Sequence, residues 1–485
     1  MWERSPDRDS SLTQQHKRHT MTTPTDPHPS QAVRADTALP AQADMRQNEQ
    51  ELKSLVAEIL AEAERQGASA AEVSVSADTG LSVSVRKGSL ETIEFNQDRG
   101  FGITVYFGAR KGSASTSDSS RDAIRETVRA AANIARFTQE DPCNGLAEAE
   151  LMPTSLPGLD LFHPWDMDPA GAEQLALACE NAAFEHDGRV VNSEGAQVSS
   201  QQSCRVYGNS HGFIGSTLGT RHGVSCVVIA EDGKGMQRDY WYTVARDPSA
   251  LETAASVGAR AASRAVARLS PRGVQTGRLP VLFAPEVASG LVGHLLGALS
   301  GGAQYRKASF LLDALGHQVA ADHLSLVEEP LLPGRIGSAA FDGDGVATWS
   351  KPFVSAGTAE HYILSSYSAR RLGMHTTGNA GGVFNLSVRG NTRSVPELMA
   401  AMGRGLLVTE LMGQGVNSVT GDYSRGAAGF WIENGEVAYP VDGITIAGNL
   451  KDMYRNLELI GDDVDERGNI RTPSLLVGAM TIAGE

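Results

Sequence analysis

The most constraining feature of this chain is a long alternating run. Val73 and Val75, then Leu81, Val83 and Val85, are apolar at every second position, and Ile93, Phe95, Phe101, Ile103, Val105 and Phe107 continue the pattern. Only an extended strand puts every second side chain on one face, so the run predicts an antiparallel meander with one buried face. The triplet Asp78–Gly80 (DTG) is expected to be the turn between its first two strands. The buried face needs cover. Leu52, Val56, Ile59, Leu60 and Ala63 fall at helical spacing ahead of Gly67, a fitting C-terminal stop. A second helix should start at Ser117–Ser120, with Ser119 and Asp122 resembling a capping box and Ile124, Val128 and Ala131 as its buried stripe. Asp168 followed by Pro169 opens a third, through Leu175, Cys179 and Ala182. Residues 189–230 read as strands with glycine-rich corners, and an alanine-rich helix covers about Ala250–Leu269.

Periodicity is lost over Ser270–Pro280 (SPRGVQTGRLP), which marks a domain boundary. Beyond it, Val281–Phe283 looks like a short buried strand and Pro285–Leu299 a helix. From Leu331 onward glycines recur between short apolar runs, a texture that favours strands. The predicted fold class is α+β. Residues 1–46 are expected to be a disordered tail, with order beginning near Asn48; 47–272 are expected to form a domain of helices and antiparallel sheet, and 279–485 a strand-rich, barrel- or sandwich-like domain. Met1, Met21 and Met45 are all conceivable start positions.

Composition narrows the function. Basic residues number 42 against 57 acidic ones, a formal net charge of -15, which argues against broad electrostatic attachment to nucleic acid or to an anionic membrane. Cys143, Cys179, Cys204 and Cys226 include no CxxC pair and are too few for a disulfide scaffold, so a reducing cytoplasm is expected. Residues 1–44 have scattered charges and no apolar core for a signal peptide, and no transmembrane run is present.

The familiar catalytic patterns are absent or weak. There is no HExxH. His317 and His323 are six apart, off one helical face, and His16, His19 and His28 lie in the tail. His294 sits within the helix beside Leu291, Leu295 and Ala298, where a lone histidine is more often a hydrogen-bonded packing residue than a ligand. Gly208–Gly212 (GNSHG) matches GxSxG around Ser210, but Phe213, Ile214 and Gly215 lead into strand-like sequence rather than the helix such an elbow needs. Gly378–Gly382 (GNAGG) is a weak phosphate signal, and Phe341–Gly345 (FDGDG) lacks the later ligands of a calcium loop and reads as a tight turn.

Several segments together resemble the PmbA (TldE) branch of the TldD/PmbA metallopeptidase family. They are Arg99–Asp118 (RGFGITVYFGARKGSASTSD), Thr138–Leu146 (TQEDPCNGL), Gly301–Leu312 (GGAQYRKASFLL), Phe341–Thr348 (FDGDGVAT), Gly378–Leu386 (GNAGGVFNL) and Thr409–Pro440, ending in WIENGEVAYP. The resemblance runs from about residue 50 to the end. It implies a soluble, cytoplasmic, two-domain subunit. The TldD branch carries HExxxH and a cysteine near its C-terminus, resembling a zinc-peptidase site. It pairs with the PmbA branch as a heterodimer that cleaves small or unfolded peptides, including microcin precursors and an antitoxin.

Carried over residue by residue, HExxxH falls on Ser289–His294. Ser289 stands at the first histidine, Gly290 at the glutamate, and His294 alone is kept; Gly461–Gly478 contains no cysteine. A catalytic zinc normally has three protein ligands and an open position. No metal is therefore expected in this chain, with zinc held by the TldD-like partner, and the catalytic and peptide-binding residues here are unassigned. The helix is expected to be regular, or widened only as a family relic. The resemblance thus implies a non-catalytic partner with a degenerate metal site. Two alternatives stay open: a self-sufficient metallopeptidase using His294 with ligands such as His361 or His375, and a non-proteolytic binding regulator, as an early link of the family to DNA gyrase suggested.

Overall fold

The first alternating run folds into one continuous strand, β1 (Ala70–Arg86), in the computed structural model, which describes residues 42–484. The turn expected at Asp78–Gly80 is not there. Asp78 pairs with Asp98 on one side and Ser203 on the other, and partners on both edges hold this polar triplet extended. The chain reverses instead at Lys87 and Gly88, whose φ angles of 53° and 73° are those of a two-residue hairpin turn matched to strand twist.

β2 (Ser89–Phe107) and β3 (Arg110–Thr116) complete the meander, and β4 (Val190–Asn209), β5 (Ile214–Glu231) and β6 (Met236–Ala245) extend it. The order is β3-β2-β1-β4-β5-β6. Ile93 and Phe95 were expected on the buried face but remain exposed, beyond the end of β3, which pairs only with Phe101–Phe107.

Four helices pack on one face of this sheet: α1 (Gln42–Arg65), α2 (Arg121–Phe137), α3 (Pro169–His186) and α4 (Ala254–Ala267). α1 begins ahead of the expected onset near Asn48, because Met45 is apolar and buried against the sheet. Residues 1–41 of the expected tail lie outside the described residues. The cap of α2 is Ser120, not Ser119; its Oγ accepts from Ala123 N at 3.3 Å. Asp168 caps α3 through Gly171 N at 2.7 Å, ahead of Pro169. Val56, Ile59, Val73, Val75, Phe101 and Val128 form one core under α1 and α2, and Val83, Val198, Val228, Cys179, Val257 and Ala261 form another under α3 and α4. α3 and α4 touch so closely at Gly258 that a Cβ there would overlap the carbonyl oxygen of Cys179.

The second half runs β7 (Gly277–Phe283), α5 (Pro285–Ala298), α6 (Gly301–Tyr305), β8 (Ser325–Glu328), β9 (Lys351–Ser355), β10 (Thr358–Ala359), α7 (Ser366–Leu372), β11 (Leu386–Arg389) and β12 (Thr392–Arg393). It continues through α8 (Val395–Met402), β13 (Gly405–Met412), β14 (Asp422–Glu433), β15 (Glu436–Asn449), α9 (Leu450–Arg455), β16 (Leu457–Gly461), β17 (Ile470–Arg471) and β18 (Leu475–Ala483). β18 pairs with both β15 and β7, so β7, β13, β14, β15 and β18 close into a five-stranded barrel. Alternation partitions its side chains: Val281, Phe283, Val408 and Val477 join the core that contains Leu291 and Leu295 of α5, while Leu282 and Leu476 pack with Leu398 and Met402 of α8. The predicted α+β class and barrel-like second half are both found. Among the described residues no hydrophobic cluster joins residues before 270 to those after 273.

The glycine-rich stretch from Leu331 to Asn385 differs from expectation. It is mostly irregular, with β9 and the two-residue β10 as its only strands among the described residues. Gly334, Gly345, Gly357, Gly378, Gly381 and Gly382 take positive φ and turn the chain.

Candidate functional site: a degenerate metal helix and an inter-lobe cleft

α5 begins with Pro285 at its first turn and is α-helical throughout Pro285–Ala298. Five residues advance a regular helix by roughly 500°, so Ser289 and His294 diverge by about 140° around the axis. The Ser289 hydroxyl donates to the Glu286 carbonyl at 3.0 Å. The Glu286 carboxylate is engaged by Arg264 at 2.6 Å. A Cβ at Gly290 would meet no atom within 4 Å, so the position of the family glutamate opens into free space.

His294 lies half-buried, with its ring edge-on to Tyr423 at a centroid distance of 6.1 Å. Burial, and then the Arg425 cation, hold its pKa below the usual imidazole value. A neutral imidazole can ligate, but a neighbouring guanidinium opposes an incoming cation. Among the described residues no three His, Cys, Asp or Glu side chains gather into a set that could hold a metal. His361 is elsewhere: its Nδ1 bonds the Pro352 carbonyl at 2.8 Å and its ring stands edge-on to Trp349. His375 is exposed just after α7. The residues of α5 therefore do not fit a catalytic zinc.

A second feature with room for chemistry is a cleft of about 980 Å³ on the sheet face opposite the helices. The polar half of the alternating pattern supplies its floor: Ser74 and Ser76 of β1, Gly100 and Gly102 of β2, and Ser203 of β4. These small side chains leave space where valines on the other face fill it. The opposite wall comes from the second half, through Phe341, Asp342, Gly343 and Phe384. Phe341 stands edge-on to Phe213, with ring centroids 5.3 Å apart, and also tilts against Tyr207.

Carboxylates fasten these loops. Asp342 accepts from the backbone N–H groups of Asp344 and Val346 at 2.9 Å and of Ala380 at 2.8 Å, tying FDGDG to GNAGG. Burial and Asp344 push its carboxyl up to about 7, against the pull of those three donors. Asp344 Oδ2 accepts from Ser366 N at 2.8 Å. FDGDG is thus a turn, and GNAGG its partner. Across the lobes, the Tyr207 hydroxyl lies 3.0 Å from both Glu72 Oε2 and the Asp344 carbonyl oxygen, and Tyr106 donates to Glu72 Oε1 at 2.8 Å. Burial raises Glu72 above the usual carboxylate range. In GNSHG, the Ser210 hydroxyl accepts from Ala71 N and His211 bonds the Ala147 carbonyl; no helix follows, so this is a sheet corner.

The cleft residues were missed in the sequence. The only signal of the cleft floor is the polar half of the period-2 pattern, which looks the same whether it faces solvent or a second lobe, and FDGDG in the wall reads only as a turn.

Comparison with known proteins agrees with this architecture. Family models described as PmbA/TldA metallopeptidase domain 1, central domain and C-terminal domain match residues 71–135, 162–269 and 276–484. The Metalloprotease PmbA of Escherichia coli O157:H7 is 51% identical over 415 residues, covering 86% of this chain and 92% of its own length. A Metalloprotease PmbA homolog of Haemophilus influenzae is 46% identical over 441 residues, covering 91% and 98%. A crystal structure of a putative modulator of DNA gyrase from Bacteroides thetaiotaomicron superposes with a TM-score of 0.85 at 27% identity, over 90% of this chain and 99% of that one. TldE from Thermococcus kodakarensis shares the fold, with a TM-score of 0.77 at 20% identity over 89% and 100%. The chain belongs to the TldD/PmbA metallopeptidase family, on its PmbA branch.

Proposed function

We propose that the chain is the non-catalytic subunit of a two-chain cytoplasmic metallopeptidase, holding peptide substrate while a TldD-like partner binds zinc and supplies the general base. One observation carries this reading. On a regular α5, Ser289 is hydrogen-bonded to its own helix, Gly290 offers no side chain, and His294 is half-buried, with burial and then the Arg425 charge disfavouring positive charge on its ring. Losing a positioned base alone costs about 10²–10⁴ in rate. The substrates would be small or unfolded peptides of the microcin-precursor or antitoxin type. What this chain supplies is a wall: the serine- and glycine-lined cleft can accept an extended main chain without selecting bulky side chains.

Co-expression with a TldD-like subunit tests it, with size analysis and a peptidase assay on each chain and on the mixture. The expected result is a 1:1 complex, with zinc and activity following the partner. Stoichiometric zinc in this chain purified alone, or activity without the partner, would favour the self-sufficient reading. Recovery of gyrase in place of a TldD-like chain would favour the regulator.

A further inference from the structure

The cleft is lined by arginines in a chain whose acidic residues outnumber its basic ones, 57 to 42. Arg99 and Arg205 border the 980 Å³ chamber. A second chamber of about 480 Å³ continues from it, sharing Ser203, Arg205 and Arg246 and adding Arg221. Together they form a trough along the polar face of the sheet.

Arg246 is the decisive residue. Its Nε donates to the Arg335 carbonyl at 2.9 Å, Nη1 to Thr220 at 3.2 Å and Nη2 to Ile336 at 2.7 Å. Carbonyl oxygens satisfy three of its five N–H groups but leave its charge uncompensated. Among the described residues no carboxylate lies within ion-pair distance of Arg99, Arg221 or Arg246, and Arg205 has only Asp78, at 3.6 Å. The acidic groups in the same walls are Asp78, Asp98 and Asp342, the last already bonded to three backbone N–H groups. Burial, and then the nearby Arg221 charge, push the Arg246 pKa down to about 10, and an anion beside this guanidinium would offset both.

We propose that the trough binds the carboxylates of an extended peptide, through Arg205 and Arg246 with Arg99 at the mouth; this rests on the chain being a peptide-handling subunit. The guanidinium fork matches a carboxylate in two-point geometry. The serine and glycine floor leaves room for main chain, and Phe341 and Phe384 give an apolar wall for side chains between the charges. The carboxylate can come from the peptide's C-terminus or from Asp and Glu side chains.

The test is fluorescence anisotropy on the full chain with labelled octapeptides: glutamate-rich or glutamine-rich, each as free acid and as C-terminal amide. The glutamate free acid should bind at least tenfold more tightly than the glutamine amide, with an advantage that shrinks as salt rises. The two intermediate peptides assign that advantage to terminus or side chain. The doubly exposed R99Q/R205Q variant, its fold checked by thermal unfolding, should lose about tenfold for the glutamate peptide and nothing for the glutamine amide. Equal binding of acidic and neutral peptides, or an undiminished gap in R99Q/R205Q, overturns the proposal. Because the readout is binding by this chain alone, an inactive mixture would remove the helper-subunit reading and leave this result standing.

Discussion

Lys351 Nζ meets Glu328 Oε2 at 2.5 Å with neither side chain exposed to solvent. Asn379 Nδ2 and Phe384 N add their hydrogen bonds to the same carboxylate, so one ion pair fixes β8, β9 and the GNAGG loop together. Burial pulls the Lys351 ammonium below its ordinary pKa, and Glu328 opposes that pull. Removing one partner of such a pair strands a buried charge. Lys351→Met should cost about 3–5 kcal/mol of stability. Urea unfolding of K351M measures the loss, and a cost below about 1 kcal/mol would contradict the pairing.

Helix contact in the first half should also resist change, at a smaller cost. Gly258→Ala sets a methyl against the Cys179 carbonyl and should destabilise by about 1–3 kcal/mol. Gly293→Ala on α5, where a Cβ meets nothing within 4 Å, should instead stabilise by about 0.5–1 kcal/mol. Thermal melts of the two variants should therefore move in opposite directions.

Rebuilding the family motif should not rebuild the metal site. In S289H/G290E the two histidines would diverge on a regular helix, the Arg425 charge would still oppose a cation at His294, and Gly461–Gly478 would still offer no cysteine. Mass spectrometry of the purified variant should find zinc well below one equivalent. A tightly held equivalent would mean that α5 can rearrange to bring the ligands together.

Acid should weaken the first half through His222. This fully buried ring bonds the His163 carbonyl through Nε2 at 2.8 Å and Ser200 Oγ through Nδ1 at 2.9 Å, an arrangement that suits the neutral form. Burial, the leading cause, lowers its pKa from the usual 6.5. The unfolded chain then takes up a proton before the folded one does. Stability is fully present above about pH 6.5 and declines as pH falls below it. His222→Gln should flatten that decline in melts between pH 7.5 and 5, and an unchanged slope would exclude His222 as its source.

Much of the first half was legible because local signals and global packing agree. Leu52, Val56 and Ile59 mark the stripe of α1, and Val73, Val75 and Phe101 mark the buried side of the sheet. The misreadings share a cause. Asp78–Gly80 has turn composition, but pairing on both edges overrides it; Ile93 and Phe95 alternate correctly, but nothing covers them. The second half was legible as strand-rich, with barrel and sandwich both open, from its short apolar runs, whereas the loops between were not. Their order comes from Glu328 and Asp342 accepting from the distant backbone N–H groups of Phe384 and Ala380 and from Asn379 donating to the Glu328 carboxylate, and no short-range pattern announces such contacts. The same holds for the trough: Arg205 and Arg246 are 41 residues apart and converge only once the sheet exists.

The barrel closes through β18 against β7, strands almost two hundred residues apart. During synthesis, the six-stranded sheet and its four helices have every partner on hand as soon as α4 emerges. β7 and α5 must wait, apolar and unsealed, until Leu475–Ala483 leaves the ribosome. The interval before that last strand arrives is when the nascent polypeptide is most open to aggregation, and where a chaperone would matter most.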